Sequence, residues 1–353
     1  MTPAGGPAPR LAAALPEGWT LAPGLVDLQV NGFAGAEVGD DPDGLAEVAR
    51  GLARAGVVAF CPTLVSRSPA GYRRTAAALA AAPWPADGAR PLGVHMEGPF
   101  LARARAGAHG PAHLRAPGPA AVDALLSAFR PAIVTLAPEL PGGIAAIRRL
   151  ARAGVVPACG HTDADGATGL AAIRAGARLL THALNAMGGI AAREPSALVA
   201  FLGHRRAAVG LIGDGVHVAP EVAALVARLA GARLVLVSDA TAAAAAPPGD
   251  YRLGGLRISS DGARATARGR LAGAVAPLWY GLRTLTEAGL PLPAALRAAS
   301  AAPLRLLGRA PDPGDLVVLD PALRPRLTAI GGRVAWADEG LPFEAPEPGA
   351  PLR

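Results

Sequence analysis

At 353 residues, with 51% hydrophobic and 17% charged residues, the chain has the composition of a globular protein with ample core, not of a disordered one. No apolar run approaches the roughly 18–20 residues of a membrane helix, and the opening residues lack a signal-peptide core, so a cytoplasmic protein is expected. The net charge of +7 rests on 34 basic residues, every one an arginine, but these are scattered and aromatics are only 4%, which argues against a nucleic-acid surface while still suiting a small anionic substrate.

In chain order, short aliphatic runs alternate with longer Ala/Leu/Arg stretches of helical period. Strands are predicted at 25–30, 57–60, 92–96, 133–136, 155–158, 179–180, 208–212 and 234–237. Helices are predicted between them near 42–55, 69–82, 118–129, 141–153, 164–175, 195–203 and 219–230. Eight strands with helical crossovers imply a parallel sheet, and eight is the number that closes a (β/α)8 TIM-type barrel. An open doubly wound sheet is the rival, but no G-x-G-x-x-G follows the first strand. Beyond Asp239 a Gly-rich loop with a possible hairpin runs to Gly273, followed by helices near 274–288 and 293–300. Short strands at 316–319, 327–330 and 333–336 then suggest a small β layer, and the Pro-rich end from Leu341 a loose tail. The expected organisation is therefore 1–23 as the N-terminal segment of a small β domain, 24–310 as barrel, 311–340 as its C-terminal strands and 341–353 as tail.

Polar residues sit where the strands end. Gln29 and Asn31 end the first, Glu97 follows the third, and His161, His182, His217 and Asp239 follow the fifth to eighth. In a barrel these all emerge at the C-terminal mouth and converge on one site. A single His or Glu at a strand end is more often a satisfied polar residue. Glu97, His161 and His182 at three mouths of one barrel favour a metal site instead, with one position left open. Asp239 could be an acid/base or merely a helix N-cap. His95 shares a strand face with Glu97 and is read equally as a support for a ligand or as a core histidine. Cys61 and Cys159 form no disulfide framework, and Cys159 is expected to be a buried thiol. His113 has no motif around it, and His204 reads as helix-end surface.

The runs Pro23-Gly24-Leu25-Val26-Asp27-Leu28-Gln29-Val30-Asn31-Gly32, His95-Met96-Glu97-Gly98-Pro99-Phe100, Gly107-Ala108-His109 and Gly160-His161 occur in this order. Thr181-His182-Ala183-Leu184-Asn185-Ala186-Met187, Arg193-Glu194-Pro195, Asp214-Gly215-Val216-His217 and Ser238-Asp239-Ala240-Thr241 follow them. Together they resemble the N-acetylglucosamine-6-phosphate deacetylases of the amidohydrolase superfamily, over roughly 24–335. Each motif alone is weak; the ordered set is specific.

The resemblance implies hydrolysis of the acetamide of N-acetylglucosamine 6-phosphate to glucosamine 6-phosphate and acetate. It implies Glu97, His161 and His182 as metal ligands and Asp239 as the acid/base. Many relatives carry His-x-His on strand one and a carboxylated lysine bridging two metals. This chain has Gln29-Val30-Asn31 there and no lysine, which implies one divalent metal per chain, with Gln29 and Asn31 hydrogen-bonding nearby rather than ligating. Zinc is the first expectation for that metal, iron or another divalent ion the alternative. His109 would bond the substrate's amide oxygen or hydroxyls. His217, Arg193 and the Asn185-Ala186 backbone would hold the phosphate, with Arg193 reaching in from a neighbouring subunit of a homodimer. The few residues before strand one imply a reduced version of the family's β-sandwich domain. The alternatives are the same reaction on N-acetylgalactosamine 6-phosphate and a non-catalytic sugar-phosphate-binding barrel.

Overall fold

The computed structural model of the chain describes Leu11, residues 15–343 and residues 347–352, so most of the segment expected at 1–23 lies outside the described residues. Eight parallel strands form one continuous wall: β1 (Leu25–Val30), β2 (Val57–Leu64), β3 (His95–Glu97), β4 (Ile133–Leu136), β5 (Val156–Cys159), β6 (Leu179–Leu180), β7 (Ala208–Ile212) and β8 (Leu234–Val237). Neighbours in sequence are neighbours in space from β1 to β8, as right-handed βα units require. Helices α1 (Pro42–Arg54), α2 (Pro69–Ala81), α3 (Pro119–Phe129), α4 (Gly143–Arg152), α5 (Gly166–Ala175), α6 (Ala197–Gly203), α7 (Pro220–Ala230) and α8 (Leu278–Glu287) follow the strands in turn. This is a (β/α)8 barrel.

Local chemistry sets these boundaries. Asp41, Ser68 and Asp165 cap α1, α2 and α5 through their side chains, and Pro42 and Pro69 pre-set the first turns. All eight residues of β2 are buried, as expected of a parallel strand covered on both faces. Alternation splits the strands into two cores. Val26, Leu28, Cys61, Ile133, Val156 and Val235 share the interior cluster, where Ala302 and Leu306 of the short helix Ala301–Leu306 join them. Leu25, Phe60, Val134, Leu136, Leu180 and Leu236 belong to the cluster packed against the helices. The third strand departs from the expected 92–96. Arg90–Pro91 pairs with β2 as a separate fragment, and β3 begins only at His95. Pro91 has no N–H to donate and Gly93 sits at φ 115°, which together break the run.

No ladder joins β1 to β8; side chains and single backbone bonds make the seam. The Asn31 N–H donates to the Ala240 carbonyl at 2.7 Å. The buried Asp27 carboxylate accepts from the N–H groups of Gln29 (3.1 Å) and Ser238 (3.2 Å). Burial pushes the Asp27 carboxyl up to about 7. Its folded-state value thus lies above its unfolded one, so its contribution to stability is full below about pH 4 and lost as pH rises toward 7. Asp27→Asn keeps an acceptor and cannot ionise. The stability of that variant relative to the parent, followed by thermal melting, should rise between pH 5 and pH 8 by a difference on the order of a few kcal/mol. An offset identical at both pH values would contradict this.

The termini contribute one antiparallel sheet, ordered Thr20–Pro23, Leu316–Leu319, Pro325–Ile330 and Arg333–Ala337. Val317 and Leu319 face the barrel. The other face, with Val318, Leu327 and Ala329, is covered by Leu11, Trp19, Phe343 and Leu352 rather than by a second full sheet. Among the described residues the small β layer is thus a single sheet with an apolar cover made by Leu11, Trp19, Phe343 and Leu352. The tail expected to be loose is tied along it, with the Leu352 N–H donating to the Gly332 carbonyl at 2.8 Å. The stretch expected to hold a possible hairpin is a four-stranded meander: Gly249–Leu253, Leu256–Ser260, Ala265–Ala267 and Arg270–Leu271. No helix among the described residues is long and apolar enough to cross a membrane.

Candidate active site

A cavity of about 280 Å³ opens at the C-terminal ends of the strands. Asn31, Glu97, His109, His161, His182, Asn185, Ala186, His217 and Asp239 all line it, from strands spread over some two hundred positions. Three of them leave their strands in the left-handed region, His161 at φ 49°, His182 at φ 27° and Asp239 at φ 54°. That conformation costs a non-glycine residue roughly 1–3 kcal/mol and is typical of functional sites. Gly160 allows the turn before His161, because a Cβ there would lie 2.9 Å from both Thr135 and Thr181.

Glu97 is the centre. Its Oε1 lies 2.9 Å from His182 Nε2 and 3.3 Å from His161 Nε2, and those two nitrogens are 3.1 Å apart. Gln29 Nε2 donates to the same oxygen at 2.9 Å. Burial alone would raise the Glu97 carboxyl, but His109, His161 and His182 reverse this and hold it well below the usual carboxylate range. Burial likewise works to lower His182, yet the Glu97 carboxylate beside it leaves that imidazole raised.

Hydrogen bonds assign the histidine tautomers. His161 Nδ1–H donates to the Arg105 carbonyl at 2.8 Å, which turns the Nε2 lone pair toward Glu97. His109 is the opposite case. Its Nδ1 accepts the Ser66 backbone N–H at 3.1 Å, so Nε2 carries the proton and points at Glu97 Oε2, 3.6 Å away. Although Glu97, His109 and His161 also lie close enough together to form a cation group, His109 is built as a donor. The Nδ1 of His182 is buried without a partner. Glu97 Oε1, His161 Nε2 and His182 Nε2 could therefore hold a metal. A tetrahedral ion with ligands at about 2.0–2.2 Å has edges of about 3.3–3.6 Å, close to the observed separations, so a cation would suit these converging atoms.

Across the cavity, Asn31 Nδ2 donates to Asp239 Oδ1 at 2.8 Å. Burial, then the charge of Glu97, push the Asp239 carboxyl up to about 6. His217 donates from Nδ1 to Asp214 Oδ2 at 2.7 Å, and Asp214 is itself fixed by the N–H groups of Val216 and His217. His95 lies one step below Glu97 and does not line the cavity. Its Nδ1–H donates to the Leu28 carbonyl and its Nε2 accepts from Thr135, both at 2.8 Å, in a polar layer completed by Thr181. Arg193 is exposed on a surface loop and does not line the cavity of its own chain. Both thiols are fully buried, and burial pushes them far above neutrality, so neither is reactive.

Sequence reasoning missed Ser66, Asp214, Arg105, Leu253, Arg270 and Leu271. Asp214 was legible in hindsight, three residues before His217 in a turn motif. The last three reach the cavity only because the meander folds over the mouth.

The fold and the buried Glu/His cluster are those of a metal-dependent barrel hydrolase. The amidohydrolase family pattern matches residues 20–331, and the chain belongs to that family. Within it, the chain is 36% identical over 341 residues to the N-acetylglucosamine-6-phosphate deacetylase of Danio rerio, covering 90% of this chain and 84% of that one. It is also 36% identical over 319 residues to the N-acetylgalactosamine-6-phosphate deacetylase of Escherichia coli O157:H7, covering 88% and 83%. The structure of N-acetyl-D-glucosamine-6-phosphate deacetylase from Mycobacterium smegmatis superposes with a TM-score of 0.84 at 35% identity, covering 90% of this chain and 87% of that one.

Proposed function

We propose that this protein removes the acetyl group from N-acetylglucosamine 6-phosphate, giving glucosamine 6-phosphate and acetate. The observation that carries the reading is the convergence of Glu97, His161 and His182 in one cavity with a raised carboxyl, Asp239. Glu97, His161 and His182 would hold one divalent ion, zinc by the preference of a two-imidazole, one-carboxylate set, with iron the nearest alternative. That ion, when bound, supplies Lewis-acid activation. Asp239 takes one proton from the attacking water as its oxygen bonds to the amide carbon. The carboxyl then gives the proton to the nitrogen as the C–N bond breaks, and the second water proton, left on the acyl oxygen, passes to the released amine, so the products are acetate and the ammonium form of the amino sugar. Gln29 holds Glu97, Asn31 holds Asp239, and His109 donates from Nε2 to the substrate.

His217, oriented by Asp214, would bind the phosphate with the Asn185-Ala186 backbone. Exposure of Arg193 outside its own cavity supports its serving a neighbouring subunit in a homodimer. Phosphorylated sugars do not cross membranes freely, so the cytoplasm is the compartment this reading implies. Losing a charge-assisted contact costs roughly 1.5–3 kcal/mol, about 10- to 150-fold in affinity. Arg193→Ala should weaken the phosphorylated sugar by a factor in that range and barely affect N-acetylglucosamine. Mixing Arg193→Ala with Asp239→Asn subunits should restore activity in a fraction of heterodimers. No recovery under verified subunit exchange would assign Arg193 to its own subunit's site.

The similarity to an N-acetylgalactosamine-6-phosphate deacetylase supports a second reading that differs at one sugar hydroxyl. Acetate release measured on both sugar phosphates separates the two: the first reading expects the larger kcat/KM on the gluco sugar, and the reverse order would favour the second.

A further inference from the structure

The meander after β8 is held at its root and its tip by unlike means. Its root is the backbone of Asp239: the Ala274 N–H donates to the Asp239 carbonyl at 2.9 Å, and the Thr241 N–H to the Ala274 carbonyl at 3.1 Å. Its tip is the two-residue turn Gly254-Gly255, at φ 59° and φ 87°, a conformation that glycine takes with least strain. There the Gly254 N–H donates to Glu37 Oε1, in the loop between β1 and α1. Among the described residues, this is the one hydrogen bond or ion pair joining residues 249–271 to any part of the chain outside 239–275. The apolar cluster under the meander takes only Val65 and Ala108 from the rest of the barrel. A segment with so few contacts opens locally at small cost.

The acceptor is fixed from the barrel side. The buried Arg67 donates from Nη2 to Glu37 Oε1 at 3.0 Å and to the Val38 carbonyl at 2.8 Å, and from Nη1 to Thr75 Oγ1 at 2.8 Å. Val65, two residues before Arg67, packs under the tip, where a Cβ on Gly254 would lie 2.3 Å from Val65 Cγ2. Val65, Leu253, Arg270 and Leu271 all line the cavity that holds Glu97 and Asp239. The tip contact therefore decides where one wall of that cavity stands.

We propose that Glu37 is a positioning residue for the reaction, latching the tip of the meander so that Leu253, Arg270 and Leu271 wall the cavity around the bound sugar. The meander swings on its root at Asp239 and Ala274 when the latch opens, and it closes on the sugar to shield the amide from bulk water. The proposal rests on the deacetylase reading, because it assigns the closed state to that substrate.

The meander carries Arg252, Arg257, Arg264, Arg268 and Arg270, so limited trypsin digestion reports its release. Cleavage of a segment that opens and recloses fast follows the population of the open form. Glu37→Ala removes the acceptor, and Glu37→Gln keeps an oxygen for the Gly254 N–H. Gly254→Ala acts from the other side without touching Glu37 or Arg67, so a folding defect in one variant leaves the other to decide. Glu47→Ala is the one-charge control on the exposed face of α1. Losing a hydrogen bond to a charged acceptor should speed cleavage within the meander about 10- to 150-fold in Glu37→Ala and Gly254→Ala, with Glu37→Gln between them and the parent. Cleavage elsewhere should match that of Glu47→Ala. Saturating N-acetylglucosamine 6-phosphate should slow meander cleavage in every variant, since it binds the closed state. KM should rise with kcat largely kept, because apparent affinity scales with the closed fraction and saturating sugar restores it. Meander cleavage at the parent rate in both Glu37→Ala and Gly254→Ala would overturn the latch. Faster cleavage that the sugar does not slow, with KM unchanged, would overturn its part in the reaction. If the parent protein released no acetate, the deacetylase reading would fail, and digestion without sugar would still decide the latch.

Discussion

Asp239→Asn should lower kcat at least ~10²-fold while metal content and substrate affinity persist. The variant keeps the shape and the acceptor oxygen that takes the Asn31 Nδ2–H at 2.8 Å, so the loop need not move. What it loses is the ability to hold a proton between the water and the leaving nitrogen. The parent carboxyl is suited to that transfer. Pushed up to about 6 by burial and by Glu97, it is mostly ionised at neutral pH yet returns a proton readily. Single-turnover acetate release at saturating sugar phosphate reads the effect directly. Near-normal turnover would move the proton shuttle elsewhere, with His109, whose Nε2 points at Glu97 Oε2 from outside the proposed ligand set, as the next candidate.

Glu97→Gln should do more damage by a different route. The carboxylate oxygen at the focus of His161, His182 and Gln29 becomes part of a neutral amide, which binds a divalent ion poorly and leaves two imidazole nitrogens 3.1 Å apart with no counter-charge. Changing a residue that merely supports a metal ligand typically costs 10- to 100-fold in metal affinity or activity, so loss of a ligand should exceed about 10²-fold in both. Elemental analysis after dialysis, alongside acetate release, distinguishes this variant from Asp239→Asn, which should keep its metal. Full metal occupancy in Glu97→Gln would remove Glu97 from the ligand set.

Much of this arrangement was legible because barrel strands announce themselves. A short aliphatic run ending on Gln29-Val30-Asn31, on Glu97 or on His182 can be read without coordinates, and the parallel barrel then forces those ends together. What escaped depends on contacts no local pattern encodes. Asp27 reads as one polar residue in an apolar strand, yet it helps to close the barrel by taking the Ser238 N–H from the far end of the sequence. The meander is too short-stranded and Gly-rich for period-2 alternation to stand out, so Leu253, Arg270 and Leu271 reached the cavity unannounced. His95 was ambiguous because strand alternation gives its direction but not its partners. Leu28, Thr135 and Thr181 make it a satisfied interior residue beneath the site. Tautomers were equally hidden: His109 and His161 look alike in sequence, and only the Ser66 N–H and the Arg105 carbonyl make one a donor and the other a lone-pair ligand.

The most direct test of a single-metal amino-sugar-phosphate deacetylase is a titration of the metal-stripped protein with zinc, following acetate release from N-acetylglucosamine 6-phosphate. Activity should rise linearly and level off at one equivalent per chain, because Gln29 and Asn31 are neutral amides engaged with Glu97 and Asp239 and the chain has no lysine to bridge two ions. A plateau only at two equivalents, or no acetate at any zinc level or with iron in its place, would contradict the account.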